Sequence, residues 1–157
     1  MLRWWRSAPS GFVRDERGAV LAEALIVIPV LTILTIGVLE FSNMLWQRQQ
    51  MQIGVRDAVR YWSRCRPDFS SGACSLAVAR NIAFHGNPAG TGPLRVPGWD
   101  DASELELVPA TPPTAPQATD LVSGVGRMNY VSSPLFGALE ISAITMSYSY
   151  SQRYFGW

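Results

Sequence analysis

A chain of 157 residues and 17.3 kDa supports one domain with one modest hydrophobic core. Thirteen basic residues, every one an arginine, stand against twelve acidic ones, and a formal net charge of +1 offers no field to steer a polyanion, which argues against nucleic-acid binding. Charged residues are only 16% of the chain against the usual quarter, and the deficit is local: between Glu23 and Glu40 there is no charge at all.

Ala24 to Leu39 reads ALIVIPVLTILTIGVL, interrupted only by Pro29, Thr32, Thr35 and Gly37. A membrane-crossing helix needs about 20 mainly apolar residues. The stretch from Ala19 to Trp46 is long enough, with Glu23 and Glu40 inside it or at its edges. Trp4 and Trp5 precede the run and Trp46 follows it, as interfacial anchors do. A buried helix of a soluble protein would need neighbours on every side, which so small a chain lacks. A cleaved secretory signal would share the basic start (Arg3, Arg6, Arg14, Arg17) but needs a small-x-small site after the run, where the chain reads LEFSNML. No Cys stands close behind the run to carry a lipid. The segment is expected to enter a bilayer and to be retained.

On the other side of the run, Arg17-Gly18 is followed by AVLAE, so Glu23 is the fifth residue after Gly18. A charged leader ending in Gly, then an apolar helix with Glu at its fifth position, resembles the cleavage site of type IV prepilins. The resemblance implies that prepilin peptidase cuts between Gly18 and Ala19 on the cytoplasmic side. A carboxylate among lipid tails costs on the order of several kcal/mol unless it is paired. In pilin assemblies its partner is the free amine of a neighbouring subunit, here Ala19 after cleavage, and burial of that pair favours one axial register.

The stretch RGAVLAEALIVIPVLTILTIGVLEFSNMLWQRQQMQIGVRDAVRYW is similar to the start of TadE-like proteins, minor pseudopilins of the tight-adherence (Tad) pilus. The matching positions are Gly18, Ala19, Glu23, Pro29, Gly37, Glu40, Phe41, Gln49 and Tyr61, over roughly residues 14 to 62. Ala24 departs from the pattern, which has Phe or Tyr there. The resemblance implies an inner-membrane protein with a cytoplasmic N-terminus and a periplasmic head. It would assemble with other Tad pilins and pseudopilins, an inner-membrane platform and membrane lipid, and could enter the pilus. Glu23 and Glu40 are the assembly and register candidates, with Glu40 near the outer interface and within reach of water. Arginine counts do not orient the span: four precede it, and Arg48, Arg56, Arg60, Arg64 and Arg66 follow it.

Beyond the bilayer Met44, Met51, Val55, Ala58 and Trp62 form one apolar stripe at helical spacing, opposite Gln47, Gln50, Arg60 and Arg64. Gly54 weakens this helix by about 1 kcal/mol relative to Ala without ending it. Cys65 and Cys74, the two cysteines of the chain, have RPDFSSGA between them, and Pro67 and Gly72 allow a turn. In an exported domain so close a pair reads as a disulfide, which also supports a periplasmic head. A metal site would need further ligands nearby, and His85 is the single histidine.

Ser75 to Phe84 has helical spacing and stops before Gly86. Seven of the eleven prolines then fall between Pro88 and Pro116, an irregular stretch interrupted by ELELV at 104–108. Leu121 to Val131 is a possible strand weakened by Gly124 and Gly126, which read as a bend. Ile144 to Ser151 alternates strictly between apolar or aromatic residues and hydroxyls, a half-buried strand. Asp100, Asp101, Glu104 and Glu106 read as a solvated acidic turn and fit no defensible calcium loop. Tyr148, Tyr150, Tyr154, Phe155 and Trp157 are shared between core and a candidate contact surface.

No G-x-S-x-G, P-loop, dinucleotide fingerprint or histidine-rich motif occurs, so no enzyme, cofactor or metal is expected. The expected fold is α+β: a leader at 1–18, a membrane-embedded pilin-type helix at 19–46, its amphipathic continuation at 47–64, and a head at 65–157 with a Pro/Gly-rich loop at 86–120. The expected function is a minor pseudopilin that primes or regulates assembly of a thin adhesive pilus. The rival is an unprocessed single-pass membrane protein whose head binds an envelope or protein partner through its aromatic C-terminus.

Overall fold

The computed structural model describes residues 16–66, 74–112, 117, 119–133 and 144–155. The leader residues 1–15, the turn with Pro67 and Gly72, and Trp157 lie outside the described residues. The chain divides into two compact units, Met1–Leu39 and Glu40–Trp157.

Helix α1 runs Glu16–Trp62 and contributes to both units. In the first unit its large apolar side chains, Val20 to Leu39, are exposed except for the half-buried Ile36, and this helix is long and apolar enough to cross a membrane. Pro29 lies inside it and removes one backbone donor. The Thr32 and Thr35 hydroxyls donate to Ile28 O and Leu31 O, each at 2.8 Å, so both polar groups are spent on the helix itself. Such a surface suits lipid, where each polar group needs an internal partner.

The second unit is an α+β head built on the rest of α1. Helix α2, Leu76–His85, starts at Ser75, whose hydroxyl accepts from Val78 N, and stops at Gly86 in the left-handed region, φ 78°. A three-residue 3₁₀ turn, Ala102–Glu104, leads into strand β1, Leu105–Val108. Strands β2, Leu121–Asn129, and β3, Thr145–Arg153, complete an antiparallel sheet in the order β1-β2-β3. Its core side carries Leu105, Leu107, Val122, Met128 and Met146 against Met51, Val55, Ala58, Val59 and Trp62 of α1. The expected apolar stripe is therefore the face on which the head is built, and the half-buried pattern of β3 is present, reaching Arg153.

Gly124 and Gly126 differ from the bend expected of them. Both lie within the regular β2 ladder, paired with Tyr150 and Tyr148, and both face inward. A Cβ at Gly124 would stand 2.5 Å from Val59 Cγ2, and one at Gly126 would stand 2.6 Å from Val55 Cγ2. The strand lies so close to the helix that the valine methyl groups fill the place of its missing side chains. Gly54 has the same role on the helix, where a Cβ would meet Ala83 O at 2.5 Å and the Trp99 ring at 2.8 Å. Trp99 and Val96, from the irregular stretch after α2, are fully buried, and Trp99 meets Phe84 edge to face at a centroid distance of 4.9 Å. That stretch supplies core that its prolines and glycines concealed.

Gly124→Ala is expected to lower the stability of the head by about 2 kcal/mol, because the added methyl must push Val59 out of a filled core. Ser149→Ala, on the opposite face of the sheet, should stay within about 0.5 kcal/mol. Urea unfolding of the detergent-solubilised chain, followed by tryptophan fluorescence, measures both.

Candidate functional site

The candidate residues occupy three places. Gly18, Ala19 and Glu23 lie on the first turns of α1, all exposed. Among the described residues nothing comes within 4 Å of a Cβ placed on Gly18. The fold makes no demand for glycine there, although glycine costs a helix about 1 kcal/mol relative to Ala. Glu23 projects from an apolar surface and has no partner among the described residues, so its carboxylate is available to a group from outside the chain.

Glu40 is placed otherwise than expected. It is 6% exposed rather than open to water, because the segment after β2 covers it. Tyr130 OH donates to Glu40 Oε1 at 2.6 Å and Ser133 N donates to the same oxygen at 3.0 Å. Asn43 Nδ2 donates to the Tyr130 hydroxyl at 3.1 Å. One turn further on, Gln47 is 2% exposed and departs from the polar outer face assigned to it. Its Nε2 donates to Val131 O at 3.0 Å, and its Oε1 accepts from Val131 N at 3.4 Å. The side-chain amide thus stands in for a strand partner where β2 ends. Residues 40, 43 and 47 are neighbours on one helical face, and together they hold segment 130–133 against the helix. Burial, and then the bond to the Glu40 carboxylate, push the Tyr130 phenol up to about 12, so it is a proton donor throughout the physiological range.

Cys65 and Cys74 meet at the far end of α1. Each is a thiol in this structure, and the two side chains are near enough to influence one another. Burial, then this contact, raise the Cys65 thiol to about 12, far from the low values of reactive cysteines. The same place ties down the C-terminal strand: the Tyr154 hydroxyl donates to Cys65 O, and Phe155 N donates to Ser63 O at 2.7 Å. Trp62 Nε1 donates to Pro109 O at 2.8 Å.

The remaining candidates serve the fold. Asp101 and Glu104 form the capping box of the 3₁₀ turn, and Glu106 pairs with Arg127 at 3.4 Å. His85 Nδ1 lies 3.1 Å from Gly92 O beside the α2 cap. Tyr148 and Tyr150 are half-buried with the Arg56 guanidinium over their rings, Tyr154 is buried, and Phe155 is exposed. Sequence reasoning missed Tyr130 and Gln47. The one signal for them was a pair of polar residues, Asn43 and Gln47, on the helical face that Glu40 shares.

Residues 18–60, most of the long helix, match the family model described as TadE-like protein. Neither the curated proteins nor the solved structures gave a match.

Glu40→Ala leaves two donors facing an apolar side chain and is expected to cost the head about 2–3 kcal/mol, whereas Glu40→Gln keeps an accepting oxygen and should cost about 1 kcal/mol. Thermal unfolding followed by circular dichroism distinguishes the two. Equal losses would mean that the carboxylate is not what holds segment 130–133.

Proposed function

We propose that this TadE-like chain is a minor pseudopilin of the Tad pilus system, a structural component rather than an enzyme. In this reading prepilin peptidase trims it after Gly18, and it is inserted in the inner membrane with its head in the periplasm, from where it could enter the pilus. There it primes or regulates pilus assembly with other pilins, pseudopilins and the assembly platform. The observation that carries the reading is Glu23: an exposed carboxylate, five residues after a glycine the fold does not need, on an otherwise apolar exposed helix. A lipid-facing carboxylate is costly alone and stabilising only when an amine meets it. Trimming would create such an amine at Ala19 of a neighbouring subunit. The rival reading, an untrimmed receptor with an aromatic C-terminal site, loses support because Tyr148, Tyr150 and Tyr154 are engaged inside the head.

Two variants test the reading. Gly18→Leu should abolish trimming, so the protein keeps its leader and runs larger on a gel. N-terminal sequencing of the unsubstituted protein should begin at Ala19, and a mature protein that begins at Met1 would end the proposal. Glu23→Gln should be trimmed yet assemble poorly. Loss of one member of a buried charge pair costs about 3–5 kcal/mol, more than a hundredfold in a subunit contact. Crosslinking to pilin partners and counts of surface pili read the effect. Normal values for both would remove Glu23 from assembly.

The same reading places Cys65 and Cys74 in an oxidising compartment, where their contact would become a bond. Closing a loop of about ten residues contributes roughly 2.5–3 kcal/mol in the chain-entropy model. Protein recovered from the periplasmic face should carry the disulfide by non-reducing mass spectrometry, and Cys74→Ser should lower head stability by about that amount. Two free thiols in that material would refute the pairing.

A further inference from the structure

One end of the head combines a shielded carboxylate with an apolar rim that carries no exposed charge among the described residues. On α1, Phe41, Leu45 and Trp46 are exposed while Glu40 and Gln47 are covered. From the sheet, Val131 and Ile144 are 44% and 41% exposed. They belong to the same place, since Gln47 holds Val131 by both its N–H and its C=O, and Tyr130 N donates to Ile144 O at 2.8 Å. In the stretches 40–47, 129–133 and 144–146 the one carboxylate is Glu40, and there is no arginine. The nearest charges on β2 and β1, Arg127 and Glu106, pair with each other.

The backbone of this rim is also prepared for a poorly hydrated place. The N–H groups of Tyr130, Val131 and Ser133 and the C=O of Val131 are bonded to Ile144, Gln47 and Glu40. A strand end facing bulk water has no need of two buried side chains to satisfy it. One entering the lipid headgroup layer does, because water no longer competes for these groups. Trp46, exposed on the same helix, is a side chain that favours that layer.

We propose that this end of the head is seated on the lipid–water interface, with Val131 and Ile144 at headgroup depth beside Phe41, Leu45 and Trp46. The proposal rests on the reading of α1 as a membrane helix. It goes beyond that reading, since a head tethered to a span need not touch the surface. In sequence, Phe41 is separated from the apolar run only by the covered Glu40.

The test uses the full chain in vesicles of phosphatidylethanolamine and phosphatidylglycerol, with Cys65→Ser and Cys74→Ser and one new cysteine carrying a nitroxide. The positions are Val30→Cys in the span, Val131→Cys and Ile144→Cys on the rim, and Thr119→Cys beside the opposite end of β2. Accessibility to oxygen should exceed accessibility to a water-soluble nickel chelate at 131 and 144, as it does at 30, with the order reversed at 119. Rim labels that read like 119 would overturn the proposal while leaving the membrane helix intact. Rim labels shielded from both reagents would overturn it in favour of a second copy or a protein partner. An aqueous reading at 30 would overturn the membrane reading as well. Photoactivatable phospholipid and the unsubstituted chain provide a check free of substitutions: adducts should map to Val131 and Ile144, and labelling confined to α1 would refute the seat.

Discussion

The head depends on the near-contact between α1 and β2. Val55 and Val59 occupy the space that side chains at Gly126 and Gly124 would take, and the backbones come correspondingly close. A three-stranded sheet has too little area to bury a core alone. Here the helix serves as the second layer, and the glycines set how near that layer lies. Once β2 is fixed at this distance, Leu107 and Met128 reach the helix, and the Arg56 guanidinium lies over Tyr148 and Tyr150. Larger residues at 124 and 126 would lift the sheet and loosen all of these contacts together.

The polar contacts follow the same geometry. Glu40 and Gln47 can satisfy segment 130–133 only because β2 delivers it to their face of the helix. Their burial costs little, since each oxygen and amide group in use has a partner. The two acidic residues that bound the uncharged run thus divide. Glu40 is committed within its own chain, while Glu23 is left open on the surface. Of the two, Glu23 is the one free to meet a group from outside the chain, although both stand in the same family-matched segment.

Much of this was legible in the sequence because it is periodic. The apolar run, the stripe from Met51 to Trp62, the stop before Gly86 and the alternation in β3 are local patterns with local causes. What stayed hidden was carried by pairs distant in sequence. Glycine in β2 reads as weakness until Val55 and Val59 are seen beside it. Gln47 reads as solvent-facing until Val131 arrives 84 residues later. Trp99 sits in a stretch of proline and glycine that gives no periodic sign of a core. The short spacing of Cys65 and Cys74 was read as a disulfide, and in the structure both are thiols.

The ties that close the head also impose an order of events. Glu40 and Tyr130 are 90 residues apart, and Cys65 and Tyr154 are 89 apart. The helix leaves the ribosome long before the strand that covers it, so its apolar stripe stays bare through most of synthesis. Contacts of such span form late and slowly. Until β2 and β3 arrive, the growing chain has an unprotected face that must be shielded or tolerated. The bonds from Tyr154 and Phe155 come last of all, so a chain shortened by a few residues at its C-terminus would lack the fastening that joins β3 to the end of the helix.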